Sequence, residues 1–311
     1  MGLALPDRLA SPSLMLRALS FALAAALTVS AATPPKLESF SDLLAKPRQK
    51  ADARIAYGSD PNQFGELWLP AGKGPFPVVV LIHGGCWQAE LPGTILMDYM
   101  AADLRAKGVA VWNLEDRRIG HAGGGYPGTF LDVAAGVDKL RDLAKARHLD
   151  LSRVVVAGHS AGGHLTAWTA GRRRLPRTSP LYVGKPLPIR AAMSIDGIND
   201  LKAYRANGPG RCGEPGTVDQ LLKGAPSQAP YADTSPRELL PTNATQVVVS
   251  GELDPIVPVK LARNYATAAR RSGTRTQLIV YPGAGHFEPI DPATPAGRAV
   301  DAKLLSLARG H

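Results

Sequence analysis

The stretch "RVVVAGHSAGGHLTAW", Arg153 to Trp168, runs as an aliphatic strand, halts at Gly158-His159-Ser160-Ala161-Gly162, and continues at once with helical spacing. So sharp a strand-to-helix turn brings backbone segments so close together that only Gly or Ala fits two residues either side of the serine. The same turn lifts the Ser160 hydroxyl clear of the sheet, where another molecule can reach it. Gly and Ser are common in this chain, so G-x-S-x-G gains weight only from what surrounds it.

On both sides of it the chain alternates short β-rich runs with longer amphipathic ones. The β runs are "ARIAY" (53–57), "FGELWLP" (64–70), "FPVVVLIHGG" (76–85), "GVAVWNLE" (108–115), the opening stretch, "RAAMSIDG" (190–197), "TQVVVSGELD" (245–254) and "TQLIVYPGAGH" (276–286). The middle ones are continuously apolar, as parallel strands covered on both faces are. Helical spacing marks residues 94–108, 129–148, 161–172, 259–273 and 296–310, several ending in Gly or basic residues. This order predicts an α/β fold: a doubly wound, mostly parallel sheet with helices on both faces. Residues 197–243 are too long for a simple crossover and too rich in Pro and Gly for one helix, so they read as a short cap insertion. The expected boundaries are a signal peptide over 1–31, a mobile linker over 32–50, and one catalytic domain with its cap over 51–311.

A serine hydroxyl is a poor nucleophile until a base takes its proton. The base needs a carboxylate to fix its tautomer, and the oxyanion needs backbone donors. Downstream of Ser160, "VVVSGELDPIVP" puts Asp254 in a turn just past a buried strand, with Glu252 and Asp196 as rival acids. "LIVYPGAGHFEP" puts His286 in a Gly-rich loop after the last strand, a better-placed base than His121, His148, His159 or His164. Upstream, His83-Gly84-Gly85-Cys86-Trp87 ends another strand, and its paired glycines let N–H groups converge on one point. The expected oxyanion donors are the Gly85 or Cys86 amide and the Ala161 amide, with His83, Gly84 and Trp87 bracing the loop.

These four elements, in this order on these strand ends, resemble α/β-hydrolases of the esterase and lipase group whose oxyanion loop reads H-G-G-x-W. "DVAAGVDKLRDLA", "GHSAGGHLTAW", "SGELDPIVPV" and "PGAGHFEPIDP" are similar to the bacterial branch akin to kynurenine formamidases and small carboxylesterases. The resemblance covers roughly residues 50 to 305. It implies the α/β-hydrolase fold, and Asp132 and Arg117 match positions that such families use to brace loops around the site. Cys86 stands where lipase-like relatives carry a further glycine.

The expected activity is that of a serine carboxylesterase acting on a small-molecule ester through an acyl-enzyme. An arylformamidase using the same machinery is the alternative, and a non-catalytic hydrolase-fold binding protein is the alternative of another class. No Cys/His spacing resembles a metal site, and no cofactor is expected. The glycines of "GHAGGGYPG" (120–128) lack the following Lys-Ser or Lys-Thr of a phosphate cradle and read as a flexible loop near the pocket.

The net charge is +10, and loss of residues 1–31, which carry Asp7, Arg8 and Arg17, would leave +9. The one dense basic cluster, Gly171 to Arg177, has no interleaved aromatics, which argues against nucleic acid as a partner. Arg17 followed by "ALSFALAAALTVSAA" (18–32) reads as an export signal cleaved near Ala31 or Ala32, with Met15 a better start than Met1. A periplasmic or secreted protein without stable membrane insertion follows. Such a compartment lets the two cysteines, Cys86 and Cys212, pair; two unrelated thiols are the other reading. The oligomeric state stays open.

Overall fold

The structure, a computed structural model, describes residues 36–310; the expected signal peptide over 1–31 lies outside them. Eight strands form one sheet in the order β1-β2-β4-β3-β5-β6-β7-β8. They are β1 (Ala53–Ala56), β2 (Phe64–Trp68), β3 (Phe76–Ile82), β4 (Ala110–Leu114), β5 (Leu149–His159), β6 (Ala191–Ile195), β7 (Thr245–Gly251) and β8 (Thr276–Tyr281). β1 and β2 pair antiparallel at one edge, and β4 to β8 and β3 are mutually parallel. All eight β runs of the sequence appear.

The register explains the apolar runs. Val78–Ile82 of β3 lie between Ala110–Leu114 and Val154–Gly158, so every side chain meets a covered face. Alternate residues divide: Val78, Val80 and Ile82 enter one core, while Val79 and Leu81 enter the other.

Nine α-helices are present among the described residues: α1 (Phe40–Leu44), α2 (Asp98–Ala106), α3 (Gly128–Asp138), α4 (Leu140–Leu143), α5 (Ala161–Gly171), α6 (Leu201–Asn207), α7 (Gly216–Leu221), α8 (Val259–Arg271) and α9 (Pro295–Arg309). α3 and α5 bring Phe130 and Trp168 to the first core, and α2 and α9 bring Met100 and Leu304 to the second. That is the doubly wound arrangement expected. The span 129–148 divides into α3 and α4 at Lys139. α6 and α7 lie in the cap segment between β6 and β7. No helix among the described residues is long and apolar enough to cross a membrane.

Two expectations need correction. The described part of the 32–50 stretch is not a mobile linker. Ser39 and Asp42 form a reciprocal capping box on α1, and Leu43 is fully buried. Lys46 pairs with Glu38 and Asp291, tying the stretch to the segment before α9. Nor is the glycine-rich 120–128 stretch loose. A Cβ on Gly124 would meet the Arg118 carbonyl at 1.9 Å, so the backbone there is packed directly on its neighbour.

Candidate active site

Ser160 sits between β5 and α5 with φ 56° and ψ −117°, a conformation that costs a non-glycine residue on the order of 1–3 kcal/mol. It occupies the N-cap of α5 but makes no side-chain cap, so its hydroxyl is not spent on the helix. Close approach dictates the flanking glycines. A Cβ on Gly158 would meet the Gly162 carbonyl at 2.4 Å, and one on Gly162 would meet the Ile82 carbonyl at 2.2 Å. The Ser160 N–H donates to the Ile195 carbonyl at 2.9 Å, pinning the turn to the end of β6.

Asp254 lies just past β7. Its Oδ1 accepts from the amides of Ile256 (2.7 Å) and Val257 (2.9 Å), and its Oδ2 accepts from His286 Nδ1 at 2.7 Å. With the Nδ1 proton held there, His286 Nε2 is left as the basic nitrogen. The His286 loop reaches this position because Gly251 lacks a Cβ, which would stand 2.1 Å from the Gly285 carbonyl. Ser160, Asp254 and His286 are all buried, and Ser160 and His286 line one cavity. Of the rival acids, Glu252 is exposed, whereas Asp196 is buried beside Asp254. His159 packs its ring 4.4 Å from that of His286 and joins its Nε2 to the His286 carbonyl at 2.9 Å. Burial and the His286 charge push its pKa well down, so it stays neutral.

Gly85, Cys86 and Trp87 take φ values of 107°, 51° and 58°, which bend the chain after β3 around the serine. Gly84 passes so close that an added Cβ would lie 3.2 Å from that of Ser160. Ala161 is the first residue of α5, so its N–H is one of the helix's orphan donors. Trp87 is buried and donates from Nε1 to His164 Nδ1 at 3.2 Å, while His164 Nε2 donates to the Thr234 carbonyl at 2.9 Å. His83 has acceptors at both ring nitrogens, the Gly84 carbonyl (2.7 Å) and Glu115 Oε1 (2.9 Å), which suits the imidazolium. Burial opposes that charge, but Glu115 and Asp116 outweigh it and raise the His83 pKa. In return, Glu115 is held down at about 2 against its own desolvation by His83 and then Arg118. Arg117 forks onto Asp132 at 2.8 and 2.7 Å, joining the end of β4 to α3.

The cavity has a volume of about 210 Å³. Phe40, Leu91, Leu96, Ile256 and Phe287 line it beside Ser160 and His286, and Arg211 contributes a charged side chain. The sequence reading missed these wall residues. Ser39-x-x-Asp42 was the available signal for Phe40, since it marks a helix start directly ahead of it.

Cys86 and Cys212 form a disulfide with Cα atoms 5.5 Å apart, joining the loop after β3 to the segment between β6 and β7 across 126 positions. Reduction is expected to lower stability by roughly 4–5 kcal/mol less any strain in the chain-entropy account, and to cut activity by loosening the Gly85–Cys86 amides. Intact mass after alkylation checks the bridge: modification before reductant is added would show that the thiols are free.

Two groups of potential metal donors occur among the described residues, His159 with Asp196 and His286, and His83 with Glu115 and Asp116. Protein side chains engage part of each group. His286 Nδ1 faces Asp254, and Arg118 places a cation 3.3 Å from Glu115.

A sheet of this topology, with a serine on a strained strand-to-helix turn and a carboxylate-held histidine after its last strand, is an α/β-hydrolase fold. The chain belongs to the BD-FAE family, whose model matches residues 66–268. It is 27% identical over 272 residues to esterase LipC of Mycobacterium tuberculosis, covering 83% of this chain and 65% of LipC. This chain thus spans just under two thirds of LipC, and about a third of the Bacillus subtilis peptidase YuxL, to which it is 24% identical over 75% of its own length. Among solved structures, esterase B of Lactobacillus rhamnosis aligns with a TM-score of 0.74 at 18% identity, covering 86% of this chain and 90% of that one. A truncated carbohydrate esterase from gut microbiota aligns at 0.70 and 20%, covering 84% and 97%.

Proposed function

We propose that the protein is a serine carboxylesterase for small esters. Ser160 attacks the ester carbonyl while His286 takes its proton and Asp254 holds His286 in the productive tautomer. The amides of Ala161 and of Gly85 or Cys86 stabilise the oxyanion. His286 then protonates the leaving alcohol, and water, deprotonated by His286, cleaves the acyl-enzyme. The observation that carries this reading is a strained, uncapped serine facing the same apolar cavity as a histidine bound to a carboxylate. Phosphonate inhibition of esterase B and butyrate binding by the Thermogutta terrifontis esterase, neighbours of the same fold, accord with it. We also place the protein outside the cytoplasm, periplasmic or secreted, a reading supported by the apolar run 18–32 and the Cys86–Cys212 bridge.

A cavity of about 210 Å³ is small beside drug-sized ligand sites, so short acyl groups should fit best. Across p-nitrophenyl esters, kcat/KM is expected to be highest for acetate to butyrate and to fall about a hundredfold or more by palmitate, roughly 3 kcal/mol of lost transition-state binding. A rate that rises with chain length would overturn the small-acyl assignment, and turnover of N-formylkynurenine above the esters would move the substrate class to formamides.

A further inference from the structure

We propose that Asp196 is a protonated carboxylic acid that donates a hydrogen bond to Asp254 and thereby sets the pH from which the histidine base works, an inference resting on the esterase reading above. Asp196 directly follows β6 with φ 47°, in the left-handed region that Asp and Asn tolerate better than most residues. Its N–H donates to the Val249 carbonyl at 2.9 Å, and its Oδ1 accepts from the Gly251 amide at 2.7 Å. Its Oδ2 is buried and accepts from no donor, and the residue is 1% exposed.

Asp254 lies against it. Two buried carboxyls in contact do not both ionise, so one keeps a proton. The donor count assigns it. Asp254 receives three N–H groups, from Ile256, Val257 and His286, which favour its charged form. Asp196 receives one. As a carboxylate it would leave Oδ2 charged and unsatisfied; as an acid it turns that oxygen into a donor with Asp254 as acceptor. Burial first and the Asp254 charge second push the Asp196 carboxyl well above the usual carboxylate range. The other titratable groups around it agree. His159 on β5 is neutral, its pKa pushed well down by burial and His286, and Glu288 after β8, like Asp254, adds negative charge. The donor atoms of His159, Asp196 and His286 lie within 4.8 Å of one another.

Asp196 is therefore a positioning residue. Its hydrogen bond fixes Asp254 and draws off part of the negative charge that faces the His286 ring.

The test is the pH profile of kcat/KM for p-nitrophenyl acetate. Asp196→Asn keeps a donor and accepts the backbone angle, so its acid limb should stay with the parent's. Asp196→Gly removes the donor without backbone strain, and its acid limb should move up by about 0.5 to 1 pH unit. If Asp196 is ionised, both variants delete a negative charge and the limb moves down, which overturns the proposal; an unmoved limb in Asp196→Gly overturns the coupling. An infrared difference spectrum of parent against Asp196→Asn reads protonation without turnover. A protonated-carboxyl C=O band lost in the variant supports the assignment, and no such difference overturns it. Absence of ester turnover in the parent protein would sink the esterase reading while leaving the infrared result decisive for Asp196.

Discussion

Ser160→Ala is expected to lower ester turnover by roughly four to six orders of magnitude while the protein stays folded. Only one oxygen is lost, and that oxygen makes no helix cap, so its removal takes away no hydrogen bond that holds the turn. Alanine retains the Cβ, so the φ of 56° remains as strained as before. What disappears is the attacking group, and with it the acyl-enzyme. A labelled fluorophosphonate should accordingly attach to Ser160 in the parent protein and leave the variant unmodified. Turnover near the parent's rate in a folded Ser160→Ala, measured with the same ester, would remove Ser160 from the chemistry.

Asp254→Asn should cost about four orders of magnitude in kcat. The carboxylate accepts from His286 Nδ1 at 2.7 Å, and an amide turned with its NH2 toward the ring would favour the tautomer that carries its proton on Nε2, where the base is needed. The amides of Ile256 and Val257 already occupy Oδ1, so the asparagine oxygen is drawn to that side and the NH2 to the histidine. Asp196→Asn should cost far less, because an amide still donates to Asp254. Kinetics of both variants on one ester decide the ranking, and a larger loss at Asp196 would move the triad acid to the end of β6.

The central strands were legible because parallel strands buried on both faces must be apolar at every position, as Val78–Ile82 and Val154–Gly158 are. Ser160, Asp254 and His286 stood out because each ends or follows such a run. The sequence left Asp196 and Asp254 as rivals, since each follows a strand; only the third dimension shows them side by side and shares out the donors. Phe40 was hidden by the shortness of α1, a single turn whose periodicity is too brief to notice. The part of His164 as the acceptor for Trp87 was out of reach of the sequence, because it depends on a contact across 77 positions. The 120–128 glycines were misread because glycine signals both freedom and tight packing; at Gly124 the packing decides.

The bridge between Cys86 and Cys212 makes the cap and the catalytic sheet a single unit of inheritance. In sequence, residues 197–243 look like a cassette that recombination or a protein engineer could exchange wholesale for a pocket of another shape. An incoming segment preserves the bond only if it carries a cysteine whose Cα comes within about 4.4–6.8 Å of that of Cys86. Any other exchange strands a thiol in the cavity wall, open to oxidation or to pairing with a second molecule, one residue from a candidate oxyanion donor. Positions 86 and 212 therefore travel together or change together, and new specificities are reached more readily by altering side chains inside the tethered cap than by replacing it.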